Sequence, residues 1–134
     1  MEERDWYLKE VQKLARLLAR LTGFREQGHA EAAKQLINES YLDLLGSDAA
    51  SWSELTDDRW FNRLRLQGLK PDQLNTLAEI LIEESNWLIL EGQPDQGRQC
   101  IRQAIVVFDY LTEMEHTFSM KREARIRQLR EKLS

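Results

Sequence analysis

The chain of 134 residues, 42% hydrophobic and 31% charged, has the size of one domain and enough apolar side chains to fold around a core. Its 6 Gly and 2 Pro leave few sites for tight turns and argue against a many-stranded sheet, while 1 Cys excludes an intramolecular disulfide framework and a cysteine-based zinc site. A net charge of −4 gives no ground for general nucleic-acid affinity, and no apolar run is long enough to span a bilayer. Met1 leads into Glu2-Glu3-Arg4-Asp5, not a basic-then-apolar signal, so a cytoplasmic chain without a membrane partner is expected.

In chain order, the first helix is expected from about Asp5, a suitable N-cap, to Glu26, fraying over Gly23 to Gly28. Centred on Leu18, helical periodicity puts Tyr7, Val11, Leu14, Ala15, Leu21 and Thr22 on one face, with Trp6, Leu17 and Phe24 on a second flank. A second helix is expected from His29 to Leu45, with Ala33, Leu36, Ile37, Ser40, Tyr41 and Leu44 inward and Gly46 as its C′ residue. The short gap predicts an antiparallel hairpin over residues 1–46. Residues 47–70 read as a connection. Ser47-Asp48-Ala49-Ala50-Ser51 is polar, and Thr56 or Asp57 can cap a short helix carrying Trp60, Phe61 and Leu64 that ends near Gly68.

Pro71 suits the first turn of a helix running to Glu91. Leu74, Leu77, Ala78, Leu81, Ser85 and Leu88 form its main stripe, Ile82 and Ile89 lie to one side, and Ile80 and Trp87 to the other. Glu79, Glu83 and Asn86 give it a polar back, interrupted by Leu90. A helix apolar on three sides is central, and in so small a protein a second chain can supply one of its neighbours. Gly92-Gln93-Pro94-Asp95 turns into the last helix, whose stripe is Ile101, Ala104, Ile105, Phe108 and Leu111, widened by Val107. Weaker periodicity continues through Ile126, Leu129 and Leu133, with no breaker between Gly97 and Ser134. The expectation is therefore a second hairpin over residues 71–118 and a basic helical extension over 119–134, as one long C-terminal helix or a poorly packed continuation.

Two glycine-centred corners share a pattern. Gly28-His29-Ala30-Glu31-Ala32-Ala33 leads to Ile37 and Ser40, and Gly92-Gln93-Pro94-Asp95-Gln96-Gly97 leads to Ile101 and Ala104. Before the second corner, Leu81, Ser85 and Leu88 stand where a tetratricopeptide-like hairpin has large, small and aromatic positions; before the first, Leu17 and Phe24 match but Leu21 replaces the small residue. These corners resemble tetratricopeptide-like hairpins, in which a small residue five places on, here Ala33 or Gly97, lets two helices approach closely. The corner glycines, 92 and 28, are 64 residues apart where two repeats of about 34 would give about 68, so no repeat array is expected. With the opening Arg4-Asp5-Trp6-Tyr7-Leu8, the chain is similar over most of residues 4–111 to a family of small bacterial proteins of unknown function. That resemblance implies an all-α, right-handed bundle of hairpins and brings no activity.

Candidate chemistry is sparse. Glu26 to His29 and Glu113 to His116 each have Glu-x-x-His spacing, and with Glu79 or Glu83 they could be imagined around a di-metal centre. Gly28 breaks the first pair across a corner, and Glu113 and His116 point away from the apolar stripe, so no metal or cofactor is expected. Cys100 lies beside the apolar stripe, as an inert thiol does, and no nucleophile elbow or phosphate-cradling loop exists. The inward polar groups are few: Ser40, Tyr41, Ser85 and Glu84. Charge contrast is confined to residues 119–134, where Lys121, Arg122, Arg125, Arg127, Arg130 and Lys132 against Glu123 and Glu131 give +4; the other 118 residues hold 13 basic and 21 acidic groups, −8.

The reading is a non-enzymatic helical module that associates with itself, as a homodimer, or with another protein. Its candidate contact residues are Trp52, which no periodicity explains, Ile80, Trp87 and Leu90 from the apolar surplus, and Arg122 and Arg125 from the basic end. A ligand- or metal-binding bundle enzyme and a nucleic-acid adaptor using residues 119–134 are the alternatives. Metal analysis and salt-dependent binding discriminate between them.

Overall fold

A computed structural model describes the backbone of residues 2–116 and 118–134, and within it the side chains of residue 9 and of residues 11–116 and 118–134. The chain is all-α: α1 (Glu2–Gln27), α2 (Ala30–Leu45), α3 (Ala49–Ser53), α4 (Asp57–Leu66), α5 (Pro71–Leu90), α6 (Pro94–Glu115) and α7 (Met120–Lys132). The expected N-cap at Asp5 is corrected: α1 already begins at Glu2, so Asp5 lies within the helix. The side chains of Trp6 and Tyr7 lie outside the described residues.

The two glycine corners work as C-caps. Gly28 takes φ 71°, which lets the His29 N–H reach back to the Phe24 carbonyl at 2.8 Å. Gly92, at φ 79°, lets the Gln93 N–H reach the Leu88 carbonyl at 2.8 Å in the same six-to-one closure. At the start of α5, Gln73 Oε1 accepts the Lys70 N–H at 2.9 Å, and Pro71 occupies a position whose N–H would have no helical partner.

Helix α5 is the axis of the fold. Helices α1, α2 and α6 all pack on it, and Leu74, Leu77, Ala78, Ile80, Leu81, Ile82, Ser85 and Trp87 are buried. Tyr41 meets Glu84 and Lys34 meets Glu91, so α2 runs antiparallel to α5. Val11 and Leu14 lie by Pro71 and Thr76 while Arg25 reaches Glu83, so α1 runs parallel to it. Against α6 the contact is tightest at Gly97. A Cβ there would sit 2.8 Å from Ile89 Cγ1 and 3.1 Å from the Ser85 carbonyl oxygen, so the small residue after the corner is a steric requirement.

The single long C-terminal helix is corrected. Helix α6 stops at His116, which adopts φ 55°, and Ser119 Oγ accepts the Arg122 N–H at 3.2 Å to start α7. The break lets α7 fold back onto α6, burying Ile126 and Leu129, so residues 119–134 are packed and not an open extension. The signal was Ser119 as an N-cap; proline and glycine are not the only helix breaks. Helix α1 also differs from expectation. It continues through Gly23 to Gln27, and its buried centre is Leu21 with Leu17 and Phe24 packed on the core. The face centred on Leu18 is therefore rotated outward: Leu14 and Leu18 are half-buried, and Ala15 and Val11 are exposed.

Candidate interaction surface

Four of the six residues singled out from the sequence are taken up inside the chain. Trp52 is only 1% exposed; its ring meets the Trp60 ring edge-on at 6.0 Å, and the Arg63 guanidinium lies 4.3 Å above it. Arg63 also donates to the Ser51 carbonyl at 3.2 Å and the Ser47 hydroxyl at 2.7 Å, so the connection closes over Trp52 as a plug. Ile80 and Trp87 are 0% and 5% exposed, because α1, α2 and α6 cover the three apolar sides of α5. Arg125 donates to Glu79 at 3.1 Å, pinning α7 to α5. The remaining two differ. Arg122 pairs with Glu115 and donates to Thr112 at 3.2 Å, and with Arg125 it stands in the wall of a groove. Leu90 is 63% exposed beside Ile89 at the end of α5, and it is what remains of that helix's apolar surplus.

Tyr41, Glu84 and Cys100 come together from α2, α5 and α6. The Tyr41 hydroxyl donates to Glu84 Oε1 at 2.7 Å, and burial pushes the Glu84 carboxyl above its ordinary range against the opposing pull of hydrogen bonds from Tyr41 and Cys100. Burial first, and then the neighbouring Glu84, push the Tyr41 hydroxyl and the Cys100 thiol up as well. The thiol is thus held protonated and unreactive. Of the other polar groups expected inward, Ser40 donates back to the Leu36 carbonyl at 2.9 Å, and Ser85 Oγ has no hydrogen-bond partner among the described residues.

The metal-ligand candidates are dispersed. Glu26, His29, Glu113 and His116 face solvent, while Glu79 and Glu83 are occupied by Arg125 and Arg25. Among the described residues no three His, Cys, Asp or Glu side chains gather closely enough to hold an ion, and no helix is long and apolar enough to cross a membrane.

What the sequence reading missed is a groove. Two clefts, of about 480 and 250 Å³, share Asn75 and Arg122 in their walls. The first is lined from α5, α6 and α7, and the second lies between α1 and the first turns of α5, with Arg122 of α7 at its edge, so that together they form a groove from α1 to α7. Val11 and Leu14 form the α1 rim, Lys121 and Arg122 the α7 rim, and Phe108 and Leu111 contribute apolar floor. Val11 is 47% exposed here, and Phe118 and Met120 stand exposed on the turn leading into α7. The rotation of α1 creates this surface: residues patterned to face inward are only partly covered. No family model, no curated protein and no solved structure matches the chain.

Proposed function

We propose that the chain is a non-enzymatic helical interaction module that receives a protein segment, from a second copy or from another protein, in the groove between α1 and α7. The observation that carries this reading is the half-covered α1 face, with Val11 and Leu14 lining a cleft that none of the described residues fills. Engagement of Tyr41, Glu84 and Cys100 with one another, the tyrosine and the cysteine buried and the glutamate partly so, supports a non-catalytic role. The close approach of Gly97 to Ser85 and Ile89 supports reading α5 and α6 as a tetratricopeptide-like hairpin. Pairing of Arg122, Arg125 and Arg130 with Glu115, Glu79 and Asp109 weighs against residues 119–134 as a nucleic-acid contact.

Site-specific photocrosslinking in cells tests it. A crosslinker replacing Val11 is expected to give a discrete protein adduct that is absent with the crosslinker at the exposed Leu66. An adduct at twice the chain mass identifies self-association, and another mass identifies a different partner. No adduct at position 11, or the same adducts at both positions, contradicts the reading.

A further inference from the structure

The outward side of α1 carries a second feature that the groove does not use. Lys9, Lys13, Arg16 and Arg20 are spaced four, three and four residues apart, so they fall within about 60° of one another around the helix axis and span about 16 Å along it. All four are exposed. Among the described residues none of them meets a carboxylate; Arg20 only lies 6.0 Å from the Phe24 ring. This contrasts with Arg25, Lys34, Arg122 and Arg125, each of which is paired with an acidic group. On one side the row is flanked by the exposed Gln12 and Ala19, an uncharged polar side chain and a small one, so among the described residues no acidic group borders it there.

We infer that this row is a docking ridge for an acidic helical segment of another protein, one presenting carboxylates at the same four-three-four spacing. Charge complementarity selects the class of partner, and the rest of the molecule narrows it. Without these four cations the formal net charge of −4 becomes −8, so an extended polyanion such as a nucleic acid or an anionic bilayer brings its charge against an acidic body. A single acidic helix meets only the ridge. Symmetric pairing of two copies centred on this row is disfavoured, because a two-fold axis there sets one basic row against the other. The ridge lies roughly opposite Val11 and Leu14 around α1, so it stands independently of the groove.

The test uses the full chain and a synthetic helical peptide of about twenty residues bearing four glutamates in the matching spacing. A scrambled peptide of equal composition and a short DNA duplex serve as comparators, all read by fluorescence anisotropy. The matching peptide is expected to bind at low salt and to weaken as salt rises. Lys13→Glu combined with Arg16→Glu is expected to weaken it roughly tenfold, and a lysine version of the peptide to recover binding to that variant. Circular dichroism checks that the variant folds, and Lys13→Gln with Arg16→Gln gives a second variant with the same expected direction. Absence of binding by the matching peptide, equal binding of the scrambled one, or duplex DNA binding as tightly as the peptide overturns the assignment.

Discussion

Helices α1 and α5 carry comparable apolar patterns and end up in opposite circumstances. Helix α5 is apolar on three sides and finds three partners, so Leu74, Leu77, Ile80 and Leu81 are all sealed within one chain. Helix α1 has a well-formed stripe from Val11 to Leu21, yet only Leu21 is sealed. The difference lies in what fixes each helix. Helix α5 is held over residues 84–91 by Gly97 on one side and by Tyr41 and Lys34 on another, and a turn earlier by Arg125 at Glu79, while Leu74, Leu77 and Ala78 are sealed in its first half. Among the described residues, the polar contacts that anchor α1 lie near its C-terminal end, at the Gly28 corner and the Arg25–Glu83 pair 3.0 Å apart. An apolar stripe states how much surface a helix can bury; its neighbours decide which part is buried.

The largest expected effect separates those two helices. Leu81→Ala, at a position with no exposure, is expected to lower unfolding free energy by about 2–5 kcal/mol, whereas Val11→Ala should cost under about 1 kcal/mol, both read by denaturant titration. Equal losses would break the comparison. Gly97→Ala is expected to destabilise by about 1–3 kcal/mol despite its better helix propensity, because the added methyl meets Ile89 and the Ser85 carbonyl. An unchanged midpoint would mean that α5 and α6 can separate without loss.

The Tyr41–Glu84 contact sharpens the comparison through pH. Because the folded Glu84 is pushed up mainly by burial, its contribution to stability is present below the ordinary carboxylic range and is lost as pH rises through the folded value. Stability of the wild-type chain should therefore fall across that window, and Glu84→Gln should flatten the fall; a variant as pH-sensitive as wild type would contradict this. The smallest effect concerns the break before α7. His116→Gly is expected to stabilise by about 0.5–1 kcal/mol by relieving a left-handed conformation, visible as a raised thermal midpoint. A lowered midpoint would mean that the His116 side chain, not its backbone, holds the turn.

Much of the fold was legible because its signals are local. Gly28, Gly46, Pro71 and Gly92 bound helices where glycine and proline are expected to, and the stripe of α5 is buried as patterned from Leu74 to Ser85, with Leu88 half-buried. The break at His116 was not legible as a breaker, since a non-glycine residue in the left-handed region carries no sequence mark of its own. The surface was harder. Trp52 lies in a polar stretch, and only the fold shows Arg63 and Trp60 arriving from α4 to cover it. Arg122 and Arg125 read as free cations because their partners Glu115 and Glu79 are 7 and 46 residues away and are brought close by the turn into α7. The basic row on α1 needed no structure to find: its spacing stands in the sequence, but acidic neighbours on the same helix diluted the local charge.

The most direct measurement is residue-level hydrogen exchange on the purified chain at low and at high protein concentration. Amides of α5 are expected to exchange only through global unfolding, while those of residues 11–18 exchange through smaller local openings at low concentration. Protection of residues 11–18 that rises with concentration would identify a second copy as the occupant of the groove. Protection of residues 11–18 equal to that of α5 at every concentration would contradict the account, because the first helix would then have no uncovered face to offer.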